Sequence, residues 1–564
     1  MQYDIKIAGG TIVDGSGKPG VKGDVGIKGG KVVALGSAPG DARETIDATD
    51  RVVAPGFVDI HTHYDAQVMW DRMLTISPWH GVTTVVIGNC GFGVAPTRPS
   101  HRELIMRTLE KVEGMSIDAL RLGLGEDWPF ESFPEYLDAL ERRGTSINVG
   151  VLAGHTPIRL NVMGEDAVKR AATRDEIAAM ERIVREAMEA GAVGFATSHA
   201  STHHGFGGNP VPSRLAEVSE IGTLVGAMAK SGRGVMQATI GRTLFFDQFA
   251  DIARRHHVPI TWTALLAGIA GPGSHRRHLD RTRQLIEVEG LNIVPQVACR
   301  PLNFDFDFNE PFVFEARPLF EPTMKTDRAG RKRIYADAAF RAAFKEDLSR
   351  ENMRNSLAGW YDRTVISVSP SDRSLEERPL TEVAAERGQD PVDLALDLSL
   401  ATDFATRFRC AVVNYEEHEV AELLQYPNAV VALSDAGAHA SQLCDACYAT
   451  YLLGHWVREK GAIGLEQAVH MLTQKPAEVM GITDRGRLAV GAPADAVVFD
   501  PKTVAAGKLR RVYDLPGGGD RLIAESSGID AVVVNGVTIR RSGKDAVNAA
   551  GALPGRVLRG GKAA

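Results

Sequence analysis

The chain has 564 residues, of which 44% are hydrophobic and 24% are charged, and its formal net charge is −7. This length exceeds one simple domain and provides enough apolar material for a large barrel with a smaller companion domain. The slightly acidic balance argues against a nucleic-acid partner or an anionic membrane surface, and no run of 18 apolar residues indicates a membrane span.

The first fifty residues have the pattern of short strands separated by glycine-containing turns, at 3–8, 11–13, 24–27 and 31–34. Short strands of the same kind return after Ile482, at 494–500 and 531–535. We therefore expect residues 1–54 and 482–564 to join in one β-sandwich domain. The last fifteen residues, rich in glycine and arginine, are expected to form a tail or an arm onto a neighbouring subunit of a homo-oligomer.

From about Val52 the pattern changes to short β-rich runs that alternate with helical stretches, which is typical of parallel βα units. One of the helical stretches runs from Arg174 to Ala190, has apolar residues at helical spacing and ends at Gly191. The predicted fold class is α/β, with a (β/α)8 TIM-type barrel over residues 55–481. Its eight candidate strands are 56–63, 83–89, 148–153, 192–197, 234–239, 259–264, 292–297 and 429–434.

The segment at about 300–410 is too long for one loop and is predicted to be an insertion in the barrel. It begins with Phe304, Phe306 and Phe308 at alternating positions. Two interpretations stay open: a cover over the carboxyl face with an apolar acyl pocket, or a subdomain that only packs, with the phenylalanines in its core. Residues 409–413 are an alternative to 292–297 as the seventh barrel strand.

The segment PGFVDIHTH at 55–63 is an apolar strand that ends in His61 and His63. Because side chains alternate along a strand, both imidazoles point to the same side. On a barrel strand that side is the lumen, and the carboxyl end of the strand lies at the active-site mouth. Two imidazoles one strand repeat apart are well placed to bind one divalent metal ion.

Two cysteine-containing segments need interpretation. The strand at 83–89 leads to Cys90, between Gly88 and Gly91, and delivers a thiol to the same mouth. A thiolate is a good zinc ligand, whereas the alternative is a buried apolar cysteine. Cys444 and Cys447 form a lone CxxC motif, which is a weak signal for a redox or zinc site. An odd total of five cysteines argues against a disulfide framework, so we expect a reduced, cytoplasmic protein.

The last predicted barrel strand ends in Asp435, within the segment SDAGAH. A carboxylate beside a metal ion can accept a proton from water and later return it to a leaving amine. The alternative is a turn or helix-capping aspartate. Its position at the strand end favours catalysis.

Several segments resemble the amidohydrolase superfamily and, within it, the N-acyl-D-amino-acid deacylase (D-aminoacylase) group. They are spread over nearly the whole chain: PGFVDIHTHYD (55–65), GNCGFGVAP (88–96), LAGHTPIRLNVMG (152–164), GAVGFAT (191–197), SDAGAH (434–439), and the carboxyl-terminal segments 466–501 and 528–536. GNCG favours this group over other amidohydrolases, because the cysteine is a metal ligand there.

The resemblance implies a barrel with a β-sandwich flank and a bound zinc ion. It places His61, His63 and Cys90 among the metal ligands and Asp435 as general acid/base. From the residues themselves, we also expect Asp435 to be able to bind the metal together with His61, His63 and Cys90. His155, in the GH motif, and His439 are expected to contact the substrate or to support the ligands.

The sequence departs from the family pattern at two strands. The family usually supplies two further histidine ligands on the fifth and sixth barrel strands, where Thr239 and Thr263 stand in this chain. Threonine is a poor zinc ligand, so one zinc ion is expected rather than two. Four other histidines are either substitute ligands or residues of loops and ligand support: His155 after the third strand, and His199, His203 and His204 after the fourth.

The predicted function is metal-dependent hydrolysis of the amide bond of N-acyl-D-amino acids or related amides. One alternative keeps the site and changes the substrate to a cyclic imide, a lactone or another amide. A second alternative is a degenerate amidohydrolase that acts as a binding or scaffold protein, and a third is metal-independent catalysis by Asp435 and a histidine.

Overall fold

The computed structural model describes residues 2–315, 317–350 and 357–563. One of its two large sheets has eight parallel strands, each hydrogen-bonded to the next in chain order. The sheet closes through a parallel bridge between Thr62 and Ala436, which follow the first and last strands. We number these strands β1 (Phe57–Asp59), β2 (Val82–Ile87), β3 (Asn148–Gly154), β4 (Gly194–Ser198), β5 (Val235–Thr239), β6 (Ile260–Thr263), β7 (Ile293–Val297) and β8 (Val430–Val431).

All eight predicted barrel strands are confirmed, each within a few residues of its expected position. The alternative seventh strand is wrong, because residues 409–413 lie in the strand Arg407–Val413 of a separate sheet. The predicted helix Arg174–Ala190 is confirmed as well. Thr173 and Glu176 form a capping box at its start, and Gly191 ends it with a φ of +116°.

Helices connect the barrel strands and cover their outer faces. No helix in the described ranges is both long and apolar enough to cross a membrane. The α-helices are Arg102–Glu113, Ile117–Leu124, Phe133–Arg143, His155–Met163, Arg174–Ala190, Val218–Ala229, Phe246–His256, His275–Arg283, Glu321–Met324, Arg328–Ala336, Ala338–Asp347, Leu380–Arg387, Pro391–Ala401, Glu417–Leu424, Tyr448–Tyr451, Leu465–Leu472 and Gln474–Val479.

The two chain ends join in one nine-stranded sheet beside the barrel. Five strands come from the amino-terminal part and four from the carboxyl-terminal part. They meet where Val52–Pro55 pairs antiparallel with Ala496–Phe499. The other strands of this sheet are Tyr3–Ile12, Val21–Lys28, Lys31–Gly36, Ala42–Asp47, Ile529–Val534, Val537–Arg541 and Lys544–Asp545.

Alternating residues of this sheet enter two different apolar cores. Val53 and Val498 pack in the core that the sheet encloses, whereas Val52 and Val497 face the core shared with the barrel. The turn at Gly30 lies against Asn535, at the other end of the sheet, so the sheet folds over on itself. The central strands of this flanking layer, Val52–Pro55 and Ala496–Phe499, are therefore buried on both faces.

The insertion contains its own sheet and its own apolar core. The sheet has the strands Leu302–Phe306, Thr364–Val368 and Arg407–Val413. Phe306 and Phe308 are fully buried in a cluster with other aromatic side chains of this region, which confirms the packing interpretation for these two residues. Phe304 is only partly buried and is not in this core.

The carboxyl-terminal segment does not form the expected arm, because it packs on its own barrel. Leu558 is fully buried in the cluster that contains Val58 and Leu152 of the barrel strands. Arg559 pairs with Asp138 and Glu141 on a barrel helix. In the docked position the apolar side chain of Leu558 is removed from water, whereas in a solvated tail it would stay exposed. Removal of apolar area from water is favourable, and this favours the docked position.

A hairpin formed by Ala505–Leu515 and Gly519–Ser527 leaves the carboxyl-terminal part and reaches the loop that follows β8. There the backbone N–H of Leu522 donates to the carbonyl of Ala440 at 2.7 Å. A second, shorter hairpin is formed by Leu558–Arg559 and Lys562–Ala563. The longer hairpin thus supports one side of the barrel mouth.

Candidate metal centre

His61 and His63 lie directly after β1, at the carboxyl mouth of the barrel, as the strand pattern predicted. Both are buried, with 1% and 5% of their surface exposed. Their ring centroids are 5.3 Å apart. The Nε2 atoms of both rings face the carboxylate of Asp435, whose Oδ1 lies 3.4 Å from His61 and 3.9 Å from His63.

Cys90 joins the two histidines from the neighbouring strand. Its Sγ lies 3.4 Å from Nε2 of His61, and one ligand atom from each of the three residues lies within 4.8 Å of the others. No other group of His, Cys, Asp or Glu in the described residues has this spacing of possible metal ligands. The structure therefore brings together all four residues that the sequence proposed: His61, His63, Cys90 and Asp435.

Three residues of the mouth have a left-handed backbone conformation that residues other than glycine rarely adopt. The φ angles are +56° for Cys90, +46° for Asp435 and +48° for His439. Such conformations cost free energy and persist where the surrounding structure fixes them, often at functional sites. The loops after β2 and β8 are therefore held in place by tertiary contacts.

Two glutamines inside the barrel hold the candidate ligands, and the sequence reasoning missed both. Gln296 on β7 contacts Nδ1 of His61 through Oε1 at 2.7 Å, and its Nε2 donates to Oγ1 of Thr261. Gln237 on β5 accepts the backbone N–H of Cys90 at 2.7 Å. The available sequence signal was a polar glutamine within each of two apolar barrel strands. Both glutamines are fully buried in the structure, which is unusual for this residue type.

The electrostatic environment favours a negatively charged Cys90. Burial opposes the charged thiolate, but His61 and His63 outweigh burial and lower the pKa of the Cys90 thiol to about 6. Burial raises the pKa of Asp59 and of Asp65 to about 7. A low thiol pKa is typical of cysteines that bind metals or react as nucleophiles.

His155 does not reach the candidate ligands. It is fully buried, with Nδ1 2.8 Å from Oγ1 of Thr197 and Nε2 2.8 Å from Oε1 of Glu220. Arg159 also binds Glu220, at 2.5 Å. Both ring nitrogens of His155 are thus engaged inside the protein, which supports a structural part for this residue over contact with substrate.

The histidines after β4 differ in their relation to the mouth. The Nδ1 atom of His203 lies 2.7 Å from Oγ of Ser198, and its ring packs on Phe92, which also contacts His63. His199 is bound to Oγ1 of Thr243, and His204 is exposed. None of these three forms part of the cluster of possible metal ligands in the described residues.

His439 lies at the entrance of the mouth, next to the insertion. Its ring centroid is 5.8 Å from that of Phe304 and 6.4 Å from that of Phe312. The two phenylalanines are in turn 5.3 Å apart, and all three side chains are partly exposed. The insertion therefore contributes an apolar surface beside the candidate metal centre, through Phe304 and not through Phe306 or Phe308.

An ionic junction fixes the insertion over this entrance. Asp305 is 2% exposed and binds Arg407 at 2.5 Å and Arg511 at 2.7 Å. The backbone N–H of Asp305 donates to the carbonyl of Gln442, and Arg511 also donates to the carbonyl of Ser441. The junction thus joins the insertion, the long hairpin and the loop after β8.

Thr239 and Thr263 end β5 and β6 on neighbouring strands of the mouth. The hydroxyl of Thr263 donates to the hydroxyl of Thr239 at 3.1 Å. Each hydroxyl therefore has a protein partner. The arrangement supplies no imidazole at the two positions where the family pattern has histidine.

Neither cysteine of the CxxC motif belongs to a group of possible metal ligands among the described residues. Cys444 and Cys447 are buried, and Sγ of Cys447 donates to the carbonyl of Cys444 at 3.5 Å. Burial raises the pKa of the Cys444 thiol to about 11. A thiol with so high a pKa is a poor nucleophile at neutral pH.

Comparison with known proteins finds relatives over nearly the whole chain. The model of the amidohydrolase family matches residues 44–310 and 332–540. The D-aminoacylase of Alcaligenes xylosoxydans xylosoxydans is 30% identical over 95% of this chain and 94% of that protein. The N-acyl-D-glutamate deacylase of the same organism is 31% identical over 99% of this chain and 97% of that protein.

Solved structures give the same picture. The N-acyl-D-glutamate deacylase from Bordetella bronchiseptica, complexed with zinc and a phosphonate inhibitor, is similar with a TM-score of 0.66 and 27% identity, covering 99% of this chain and 100% of that chain. A D-aminoacylase described as having a binuclear metal centre is similar with a TM-score of 0.66 and 25% identity, covering 98% and 99%.

Proposed function

The chain belongs to the amidohydrolase family, and we propose that it hydrolyses the amide bond of N-acyl-D-amino acids with the help of one zinc ion. The observation that carries this proposal is the convergence of His61, His63, Cys90 and Asp435 at the barrel mouth. In a (β/α)8 barrel the carboxyl ends of the strands form the active site.

The chemistry of the donor set fits zinc. Zinc is bound by imidazole nitrogen, thiolate sulfur and carboxylate oxygen, most often four in total. Nδ1 of His61 is held by Gln296, which leaves Nε2 facing Cys90 and Asp435. A ligand histidine whose other nitrogen is held by a protein group is the usual arrangement at metal sites.

When bound, a zinc ion lowers the pKa of a water molecule towards neutrality and polarises a carbonyl group. Asp435 is the group that moves the proton, because its carboxylate faces the ligand cluster and is 21% exposed at the mouth. It accepts a proton from the attacking water and gives it to the departing amide nitrogen. The C–N bond breaks, and a carboxylic acid and an amine leave.

The proposal of one ion rests on Thr239 and Thr263. The hydroxyl of Thr263 donates to that of Thr239 at 3.1 Å. Neither residue supplies the imidazole that the family pattern has at its position. Threonine hydroxyls are poor zinc ligands. His61, His63 and Cys90 would hold one ion as three protein ligands, the number typical of catalytic zinc, and would leave a position for water beside Asp435.

The substrate class comes from the relatives and from the entrance. The curated relatives act on N-acyl-D-glutamate and N-acyl-D-aspartate and include a D-aminoacylase. Phe304 and Phe312 place an apolar surface beside His439. Such a surface is suited to the apolar part of an acylated amino acid, since burial of apolar area stabilises the complex.

The test combines metal content with activity. We expect elemental analysis to find about one zinc per chain in the wild type, and a panel of N-acyl-amino acids and cyclic imides to show hydrolysis of the D-amides. The variant His61→Ala with His63→Ala should lose both metal and activity. His418→Ala, an exposed helix residue, serves as the control and should keep both.

Two outcomes would contradict the proposal. A wild-type protein that binds no metal and whose activity is indifferent to chelators would rule out the zinc mechanism. A protein that binds zinc but hydrolyses cyclic imides and none of the D-amides would move the function to that substrate class.

A further inference from the structure

Glu113 is a buried carboxylate at an unexpected place in its helix. It is the last residue of the helix Arg102–Glu113 and is 4% exposed. The carboxyl end of a helix carries partial negative charge, which disfavours an acidic side chain there. Glutamate is also almost never buried without a partner. Helix formation alone therefore does not explain this residue.

The partner of Glu113 is His63. Oε1 of Glu113 lies 3.3 Å from Nδ1 of His63, as an ion-pair contact without the angle of a good hydrogen bond. Neither this Nδ1 nor the other carboxylate oxygen, Oε2, has a hydrogen-bond partner among the described residues. Each of the two side chains is thus the natural partner of the other.

The backbone around Glu113 is fixed to the loop after β8. The carbonyl of Glu113 accepts the N–H of Ala440 at 2.9 Å, and the carbonyl of Gly114 accepts the hydroxyl of Ser441 at 3.1 Å. Gly114 has a φ of +60°, and a Cβ at this position would lie 3.1 Å from the Cα of His439. The carboxyl end of this helix, with the side chain of Glu113, is therefore held against the loop that contains Asp435.

We propose that Glu113 is a positioning residue that holds the imidazole of His63 through Nδ1 and keeps Nε2 directed at Asp435 and the metal. The inference rests on the proposed function, because His63 must be a metal ligand. The two ligand histidines then differ in their support: His61 has the neutral amide of Gln296, and His63 has a carboxylate. A carboxylate partner makes a ligand imidazole more basic and orients it.

The experiment measures the zinc dissociation constant of the full-length protein by competition with a chelator. We expect Glu113→Ala to weaken zinc binding about 10- to 100-fold, the range found when such partners of metal ligands are removed. Glu113→Gln keeps the size of the side chain and an oxygen acceptor, so we expect a smaller loss. The control is Glu110→Ala, one turn earlier on the same helix and partly exposed.

The melting temperature of the metal-free variants separates positioning from folding. One result supports positioning: the metal-free Glu113→Gln protein has the melting temperature of the metal-free wild type, but it binds zinc more weakly. If both Glu113 variants bind zinc with the wild-type dissociation constant, the inference is overturned while the proposed function stands. If the wild type itself binds no zinc, it is the proposed function that fails.

Discussion

The two sides of the barrel mouth differ in the partners available to their buried polar side chains. On the side of β1, β2 and β8, His61, His63, Cys90 and Asp435 direct their donor atoms at a common space. On the side of β5 and β6, Thr239 and Thr263 bind each other. The first group of side chains offers lone pairs to a cation, whereas the second group is satisfied within the protein.

The difference shows how two strand ends of one barrel can keep the fold without contributing metal ligands. A strand position at the mouth must satisfy its polar atoms, with a metal or with a neighbouring side chain. Two threonines on adjacent parallel strands do this with one hydrogen bond. The fold therefore tolerates threonine at both positions, and the proposal of one metal ion rests on the imidazoles that these positions lack.

The largest effect is expected from breaking the ligand side at Asp435. Asp435→Asn keeps the shape of the side chain but removes its ability to accept a proton at neutral pH. We expect kcat to fall about 10²- to 10⁴-fold, the range of general acid–base catalysis. Steady-state kinetics on an N-acyl-D-amino acid measure this effect.

Asp280→Asn, an exposed helix residue, is the matched control and should have wild-type kinetics. Full activity of the Asp435→Asn protein would show that another group moves the proton.

The comparison is sharpened by placing histidine on the other side. Thr239→His combined with Thr263→His restores the residue type that the family pattern has there. We expect the zinc content to rise from about one towards two ions per chain, because imidazole is a good zinc ligand. Elemental analysis after removal of loosely bound metal measures it.

Thr239→Ser with Thr263→Ser keeps both hydroxyls and should leave the zinc content unchanged. A double-histidine protein that stays at one ion would mean that these two positions do not face a common metal space.

The smallest effect is expected from breaking the threonine pair itself. Thr239→Val keeps the shape of the side chain and removes the acceptor for the Thr263 hydroxyl, which is 3% exposed. We expect the free energy of unfolding of the metal-free protein to fall by about 1 kcal/mol, since a buried donor loses its partner. Chemical denaturation measures this change.

Thr239→Ser retains the acceptor, so its free energy of unfolding should fall less than that of Thr239→Val. Equal stability of Thr239→Val and the wild type would show that the hydroxyl pair contributes nothing to the fold.

Local patterns in the sequence predicted most of the ligand side. His61 and His63 share one side of a strand because side chains alternate, and this holds in any strand. The positions of Cys90 and Asp435 follow from their places at the ends of β2 and β8, since the carboxyl ends of barrel strands meet at one mouth. The eight barrel strands were also found from local composition and spacing.

The residues that support the ligands depend on contacts between distant parts of the chain. Gln296 is 235 residues from His61, and Gln237 is 147 residues from Cys90. Glu113 lies on a helix outside the barrel strands, and only its packing brings it to His63. No local periodicity encodes such pairs, because they follow from how the elements pack.

The insertion and the carboxyl terminus show the same division. The alternating phenylalanines indicated a strand, but packing decided that Phe306 and Phe308 enter the insertion core while Phe304 stays at the mouth. Composition indicated a solvated tail, yet Leu558 is buried beneath the barrel. The sequence alone thus determined the barrel, its strand ends and the type of donor at each end, because these depend on neighbours along the chain. Only the tertiary structure decided the partners of those donors and the location of the chain end, because burial and long-range hydrogen bonds depend on the complete packing.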